Sequence, residues 1–420
     1  MLEDAQGLAV TTDSPLAITA INRLIDQSLS YGNQTEAAIL QGLAADRTCV
    51  LVHAYAAAYW LSQESLSGRK QSIPHLKAAE RYASEATHRE QLYVQAIAAW
   101  AQGKIHHAIR LQEAITQAFP RDLMAVQQGQ YHYFYLGDSD RLLRIGQKAL
   151  SANPDNAYLL GMVAFGLQQC DRLAKAEAMG RQATALSRHN PWAHHAVAHV
   201  METQARITEG IAWMEDLAPT WESCNSMLYT HNWWHVALYY LALGNTTRVL
   251  ELYDTQIWGR ANQGAAKDQV GAIATLLRLE LRGIDVGDRW HALDPFLQSR
   301  LHDHALPFQN LHYVYVLARV GQLDWLREML TSQQAHAATV HSDQRQSWTE
   351  IAIPAARGLV AHAQGDWSGT IAELQAVLPR LQTIGGSQTQ RALFEQIYRD
   401  ALHKHDRQPM IYAIATLSAV

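Results

Sequence analysis

Residues 92–119, LYVQAIAAWAQGKIHHAIRLQEAITQAF, read as two helices and the turn between them. Leu92, Ala96 and Trp100 are four apart and share one helical face. After Gly103 the pattern resumes at Ile105, Ala108, Leu111 and Ile115. A glycine followed at once by a fresh amphipathic run marks a helix stop and a tight restart. No Asn-Gly or Asp-Gly turn sits between alternating segments, so hairpins of strands are not signalled.

Outward from that stretch the breaks recur. Gly103 and Gly137 are 34 apart, and Asp171 follows 34 later. Arg206, Gly244, Gly283 and Gly321 come next, at 35, 38, 39 and 38. Pro120 and Pro154, also 34 apart, mark the ends of second helices. A period near 34 with a tight inter-helix turn is the tetratricopeptide signature. Such pairs cannot bury their apolar faces alone and must stack. The expected fold is all-α: a tetratricopeptide-like α-solenoid, a right-handed superhelix of helical hairpins with first helices lining its inner side. The longest breaks, near residues 64–72 and 259–264, read as loops within one array. One solenoid over residues 1–420 is the expected organisation, with a split into 1–260 and 261–420 as the alternative.

Composition narrows the function classes. Apolar residues make up 48% and charged residues 17%, enough for a large core. Net charge is −5 with no run of one sign, so the basic stripe that nucleic acid or an anionic membrane requires is missing. No apolar stretch approaches a membrane span, and the acidic start Met1-Leu2-Glu3-Asp4 lacks a signal-peptide core. Cys49, Cys170 and Cys224 are sparse, odd in number and without a CxxC. They read as small buried hydrophobes in a reducing compartment, and the expected location is cytoplasmic.

Histidine is abundant, with 21 residues, and its placement is specific. PWAHHAVAHVMETQAR (191–206) carries His195, His199 and Glu202, and spacings of four and three place them on one helix face. THNWWHVALYY (230–240) carries His231 and His235, again four apart. Both segments precede a break, so both are first helices of adjacent pairs. His312 sits nine residues before Gly321, as His235 does before Gly244. A lone HxxxH is ordinarily a pair of buried, hydrogen-bonded imidazoles. Two pairs on neighbouring inner helices, with a carboxylate in phase, match the bite of a transition metal. This is not the zincin HExxH, because Glu202 follows the second histidine. His194 faces away from the pair. Trp192, Trp233 and Trp234 read as apolar walls. Near the C-terminus, GGSQTQRALFEQ (385–396) reads as a helix stop and a Ser387 cap. Capping leaves Gln390 and Arg391 unexplained, and both are candidates for holding an anionic group.

At these residues the chain resembles the tetratricopeptide repeat protein 38 family, from roughly residue 85 to 405. The matching segments are GMVAFGLQQ, PWAHHAVAHVMETQAR, HNWWHVALYYLALG, LYDTQI, RGIDVGDRW and GGSQTQRALFEQ. The resemblance implies irregular tetratricopeptide-like repeats and little about activity. It also implies that His195, His199, Glu202, His231, His235, Asp254, His312, Gln390 and Arg391 fall on shared positions. The chain departs where the family tends to be acidic, at Gln169, Gly271 and Ala392. It also departs at Gln388, where the family tends to His or Asn, and at Asn310, where it tends to Asp. A binuclear site that needs bridging carboxylates is not expected here.

Two functions compete. The leading expectation is an enzyme acting on a small-molecule substrate by hydrolysis, or by a related lyase or cyclisation step. In it His195, His199 and His231 hold a divalent transition metal, zinc or iron. Glu202, His235, His312 and Arg391 are catalytic, and Trp192, Trp234, Asp254 and Gln390 contact substrate. The alternative is a non-catalytic scaffold that binds a peptide or protein in its groove. No nucleic-acid or membrane partner is expected, and exposed repeat ends suggest a homodimer.

Overall fold

The computed structural model describes residues 1–417, with side chains to residue 406. The chain is an all-α, tetratricopeptide-like α-solenoid. Its only strands among the described residues are the two-residue pair Leu2–Glu3 and Ala9–Val10. Residues group into two compact units, Met1–Gly271 and Ala272–Val420. The division falls inside the helix Ala266–Glu280.

In the first unit the repeat is His88–Ala101 with Ile105–Ala118, then Leu123–Leu136 with Ser139–Ala149. It continues as Ala157–Gln169 with Leu173–Leu186, then Pro191–Thr203 with Ile207–Leu217. Each first helix is stopped the same way. Lys104 N–H donates to Ala99 O, Asp138 to Tyr133, Arg172 to Leu167 and Arg206 to Met201, all at 2.9–3.0 Å. Such a bond reaches back five residues and requires a left-handed residue just before the donor. Gly103 and Gly137 supply it, with φ of 75° and 69°. So do Asp171 and Ala205, both at 54°. The fourth break is therefore centred on Ala205 and not on Arg206, which is the N-cap of the next helix. The early breaks then stand at 103, 137, 171 and 205, an even period of 34. Gly244, Gly283, Gly321 and Gly365 continue the series at longer intervals.

Starts are as regular as stops. Asp122, Asn156, Asn190 and Asn225 each accept a backbone N–H of the first turn, at 3.0–3.2 Å. Small residues set the spacing between helices. A Cβ on Gly180 would sit 2.6 Å from Val197 Cγ2, so Leu173–Leu186 lies close against Pro191–Thr203. The loop expected at 64–72 is largely helix, because Ser65 caps Leu66–Tyr82 and the chain tolerates Pro74 inside it. The other expected loop, 259–264, is irregular chain.

The N-terminal strands are tied down by charge. Arg89 bridges Asp4 and Asp122 at 3.0 Å each, all three side chains being at most 2% exposed. Tyr93 donates its hydroxyl to the other oxygen of Asp122 at 2.5 Å.

The second unit contains Pro307–Arg319, Leu323–Thr339, Ile353–Ala363, Trp367–Val377 and Gln388–Leu417. Residues 307–318 are buried on every side of their helix. That explains why apolar residues stand on every side of this helix instead of on one face, with Gln309, Asn310 and His312 buried among them.

No helix among the described residues is long and apolar enough to cross a membrane.

Candidate metal centre

The site is built on two first helices, Pro191–Thr203 and Ser226–Ala242. Tyr239 holds them together by donating its hydroxyl to Ala198 O at 2.6 Å. With the helices in that register, i and i+4 histidines on each project into one space.

His195, His199, His231 and His235 meet there, with one side-chain nitrogen from each lying within 4.8 Å of all the others. His195 Nε2 is 3.0 Å from His231 Nε2 and 3.0 Å from His199 Nε2. Ring centroids are 4.5–5.0 Å apart. His235 Nδ1 donates to Glu202 Oε2 at 3.2 Å, which leaves Nε2 as the lone-pair nitrogen. The walls are aromatic. Phe165 lies 5.5 Å from the His195 ring, Trp192 4.7 Å from it, and Trp234 stacks on His231 at 5.2 Å. Burial and the neighbouring imidazoles hold His195 well below its ordinary range. Burial and His235 do the same for His231. Burial and His235 also depress His199, against a smaller opposing effect of Glu202. These imidazoles are therefore neutral at neutral pH, the form that ligates metal.

Every neutral imidazole carries one N–H and one lone pair. His195 Nε2 faces two other ring nitrogens at hydrogen-bond distance, and one N–H or one lone pair satisfies only one of them. His195 Nδ1 is buried with no hydrogen-bond partner. Such a cluster is costly unless something else accepts the lone pairs.

The sequence-read residues distribute as follows. His195, His199, His231 and His235 form the set, and Glu202 stands behind His235. Trp192 and Trp234 are wall residues. Trp233 is not: its ring packs against Trp221, 5.6 Å away. His194 points the other way and accepts from Trp221 Nε1 at 3.1 Å. Asp254 is exposed on the π-helical turn Tyr253–Ile257.

His312, Gln390 and Arg391 belong to the second unit. His312 Nδ1 donates to Phe308 O at 2.9 Å, and burial pushes it down to about 4. Gln390 Oε1 accepts from Ser387 N–H at 2.9 Å, completing a reciprocal cap, and Arg391 Nη1 donates to Gly386 O. Capping thus accounts for Gln390 as well as for Gly-Gly-Ser, and the Gly386 carbonyl is the partner of Arg391.

Sequence reading missed Phe165 and Tyr31. Phe165 stands six residues before its break, as His199 does before Ala205, and that equal offset was available. Tyr31 stacks on Trp192 at 5.0 Å across a large sequence gap, and no local signal marks it.

No family model matches the chain. Among solved structures it is similar to the Rap protein complexed with Competence and Sporulation Factor. That match has 12% identity, covers 77% of this chain and 99% of that one, and has a TM-score of 0.47. It is also similar to the Cut9–Hcn1 hetero-tetramer of APC/C, at 11% identity, 91% and 71% coverage and a TM-score of 0.43. A third is human IFIT1 dimer with m7Gppp-AAAA, at 14% identity, 97% coverage of each chain and a TM-score of 0.38.

The small-molecule substrate expected from the sequence is corrected on the geometry of the set. The four ligand nitrogens enclose a gap that fits an ion and not an organic molecule. His235, expected to be catalytic, offers its nitrogen in the same set as the three histidines expected to hold the metal.

Proposed function

We propose that this chain is a tetratricopeptide-like scaffold that receives a peptide or protein segment along the first helices of its N-terminal repeats. The supporting observation is a ladder of aromatic rings, half-buried except for the buried Phe165. Trp100 lies 5.1 Å from Tyr131, Tyr131 4.9 Å from Tyr135, and Tyr135 5.2 Å from Phe134. Phe134 then meets Phe165 at 5.9 Å, and Phe165 meets Trp192 at 4.8 Å. The rings come from the first helices of four successive repeats. Aromatic side chains dominate the energetic centres of protein interfaces because they bury much area at little entropic cost. At one edge Glu64 accepts from Tyr131 at 3.0 Å and pairs with Lys267 at 3.1 Å, placing polar groups beside the ladder.

The resemblance to the tetratricopeptide repeat protein 38 family supports the same reading, since that family is named for its repeats. We place the protein in the cytoplasm, where the free thiols of Cys49, Cys170 and Cys224 stay reduced.

A photo-crosslinking residue at position 135 tests the proposal in cells. The expected result is one discrete protein adduct, absent when the same residue replaces exposed Leu186 on a second helix. The same crosslinks from both positions, or none from position 135, would overturn it.

A further inference from the structure

We infer that His195, His199, His231 and His235 bind one divalent transition-metal ion, zinc by preference, as a closed four-nitrogen site that bolts two neighbouring repeats together. This inference does not depend on the scaffold reading. It rests on the number, type and convergence of the donors.

All four donors are imidazole nitrogens, and the four residues are carried on two helices that Tyr239 already holds in register. A zinc–nitrogen bond is ~2.0–2.1 Å, so a tetrahedral ZnN₄ set has nitrogens about 3.4 Å apart. Two contacts stand at 3.0 Å and the whole set lies within 4.8 Å. Side-chain shifts below the size of an atom bring it to that geometry. His195 Nε2 faces both His199 Nε2 and His231 Nε2, and an ion placed among them would take the lone pairs that converge there.

The outer groups fit too. Glu202 accepts the Nδ1 proton of His235, the carboxylate–histidine–metal arrangement that orients a ligand and raises its basicity. It also offsets one of the two positive charges. Phe165, Trp192 and Trp234 cover the rings, so the centre is shielded from water.

Four protein ligands leave a tetrahedral ion no open position, which assigns the ion a structural role. A nitrogen-only tetrahedral set suits a d¹⁰ ion that has no electronic preference for a square or octahedral field. Each helix contributes two ligands, so the ion crosslinks Pro191–Thr203 to Ser226–Ala242. It adds binding free energy to an interface otherwise held by packing and by hydrogen bonds that include Tyr239 to Ala198 and His235 to Glu202.

Full-length protein purified without a histidine tag tests this by elemental analysis. After chelator treatment it is titrated with zinc and with cobalt. The expected result is one equivalent of metal per chain, and the visible bands of tetrahedral cobalt without thiolate charge transfer. X-ray absorption should show four nitrogen neighbours. Zinc should raise the melting temperature of the chelated wild type. His199→Ala and His231→Ala should each weaken binding about 100-fold or more, and Glu202→Gln about 10–100-fold.

Three results would overturn the inference. The first is failure of folded wild-type protein to take up metal. The second is uptake unchanged in a His195→Ala, His231→Ala double variant. The third is an oxygen-rich octahedral cobalt spectrum, which would reject the closed four-nitrogen centre. If the alanine variants fail to fold, the wild-type titration and the absorption spectrum still decide.

Discussion

His195 Nε2 stands 3.0 Å from His231 Nε2, although the two residues are 36 positions apart. The contact exists because two first helices are held in one register. Tyr239 sets that register through a fully buried hydroxyl. Tyr239→Phe leaves Ala198 O without its donor in the core. Chemical denaturation should show a loss of about 1–2 kcal/mol. Zinc affinity should fall in the same variant, although no ligand has changed. Unaltered stability and affinity together would show that packing alone aligns the helices.

Ala205 occupies a left-handed turn that two earlier and four later breaks give to glycine. An L-residue there costs about 1–2 kcal/mol, while the extra freedom of unfolded glycine takes back ~0.5–1 kcal/mol. Ala205→Gly should therefore stabilise the protein by about 0.5–1 kcal/mol in equilibrium denaturation. Gly137→Ala, with φ of 69° in the matching turn, should destabilise it by a similar amount.

Arg89 is 2% exposed at its side chain and neutralises two fully buried carboxylates, Asp4 and Asp122. Arg89→Met should cost about 3–5 kcal/mol, because removing one partner leaves uncompensated buried charge. The thermal midpoint should drop sharply. Adding Asp4→Asn and Asp122→Asn should restore part of it, and failure to restore any would show that the loss was one of packing.

His132 lies in the core with its ring edge against Trp100, and burial pushes it down to about 3. Its folded-state value is below the unfolded one, so the unfolded chain binds more protons between the two. The neutral form is common to both states above the unfolded value of about 6.5, and stability falls as pH drops below it. At pH 4.5 the penalty from this residue is about 2–3 kcal/mol. His132→Gln should shrink the stability difference between pH 7.5 and pH 4.5, measured by urea unfolding, by about that much. His194 and His304, pushed down to about 3 and 4 by burial, act in the same direction and keep the remaining slope positive.

Much of the fold was legible because its signals are local. Gly103 and Gly137 stop helices wherever they stand, and an Asp or Asn start cap needs only its own first turn. The two HxxxH pairs were legible for the same reason, since four residues make about one helical turn. Reading failed where a residue without a glycine-like signature took a glycine-like role, as Ala205 does. It failed also where adjacent, chemically identical side chains faced opposite ways. Trp233 and Trp234 differ only in which neighbour each meets, Trp221 or the ring of His231. Gln390 completes the cap with Ser387, and Arg391 binds the Gly386 carbonyl.

The sequence alone determined that the chain is a series of helical hairpins and that histidines repeat on the inner helices. Each of those facts depends on residues within one or two turns of one another. Tertiary structure decided that His235 joins His195, His199 and His231 while Glu202 stands behind it. It also decided that Phe165 and Trp192 close the site. These depend on the offset between neighbouring repeats, and stacking across a shared core sets that offset with no short-range trace in the chain.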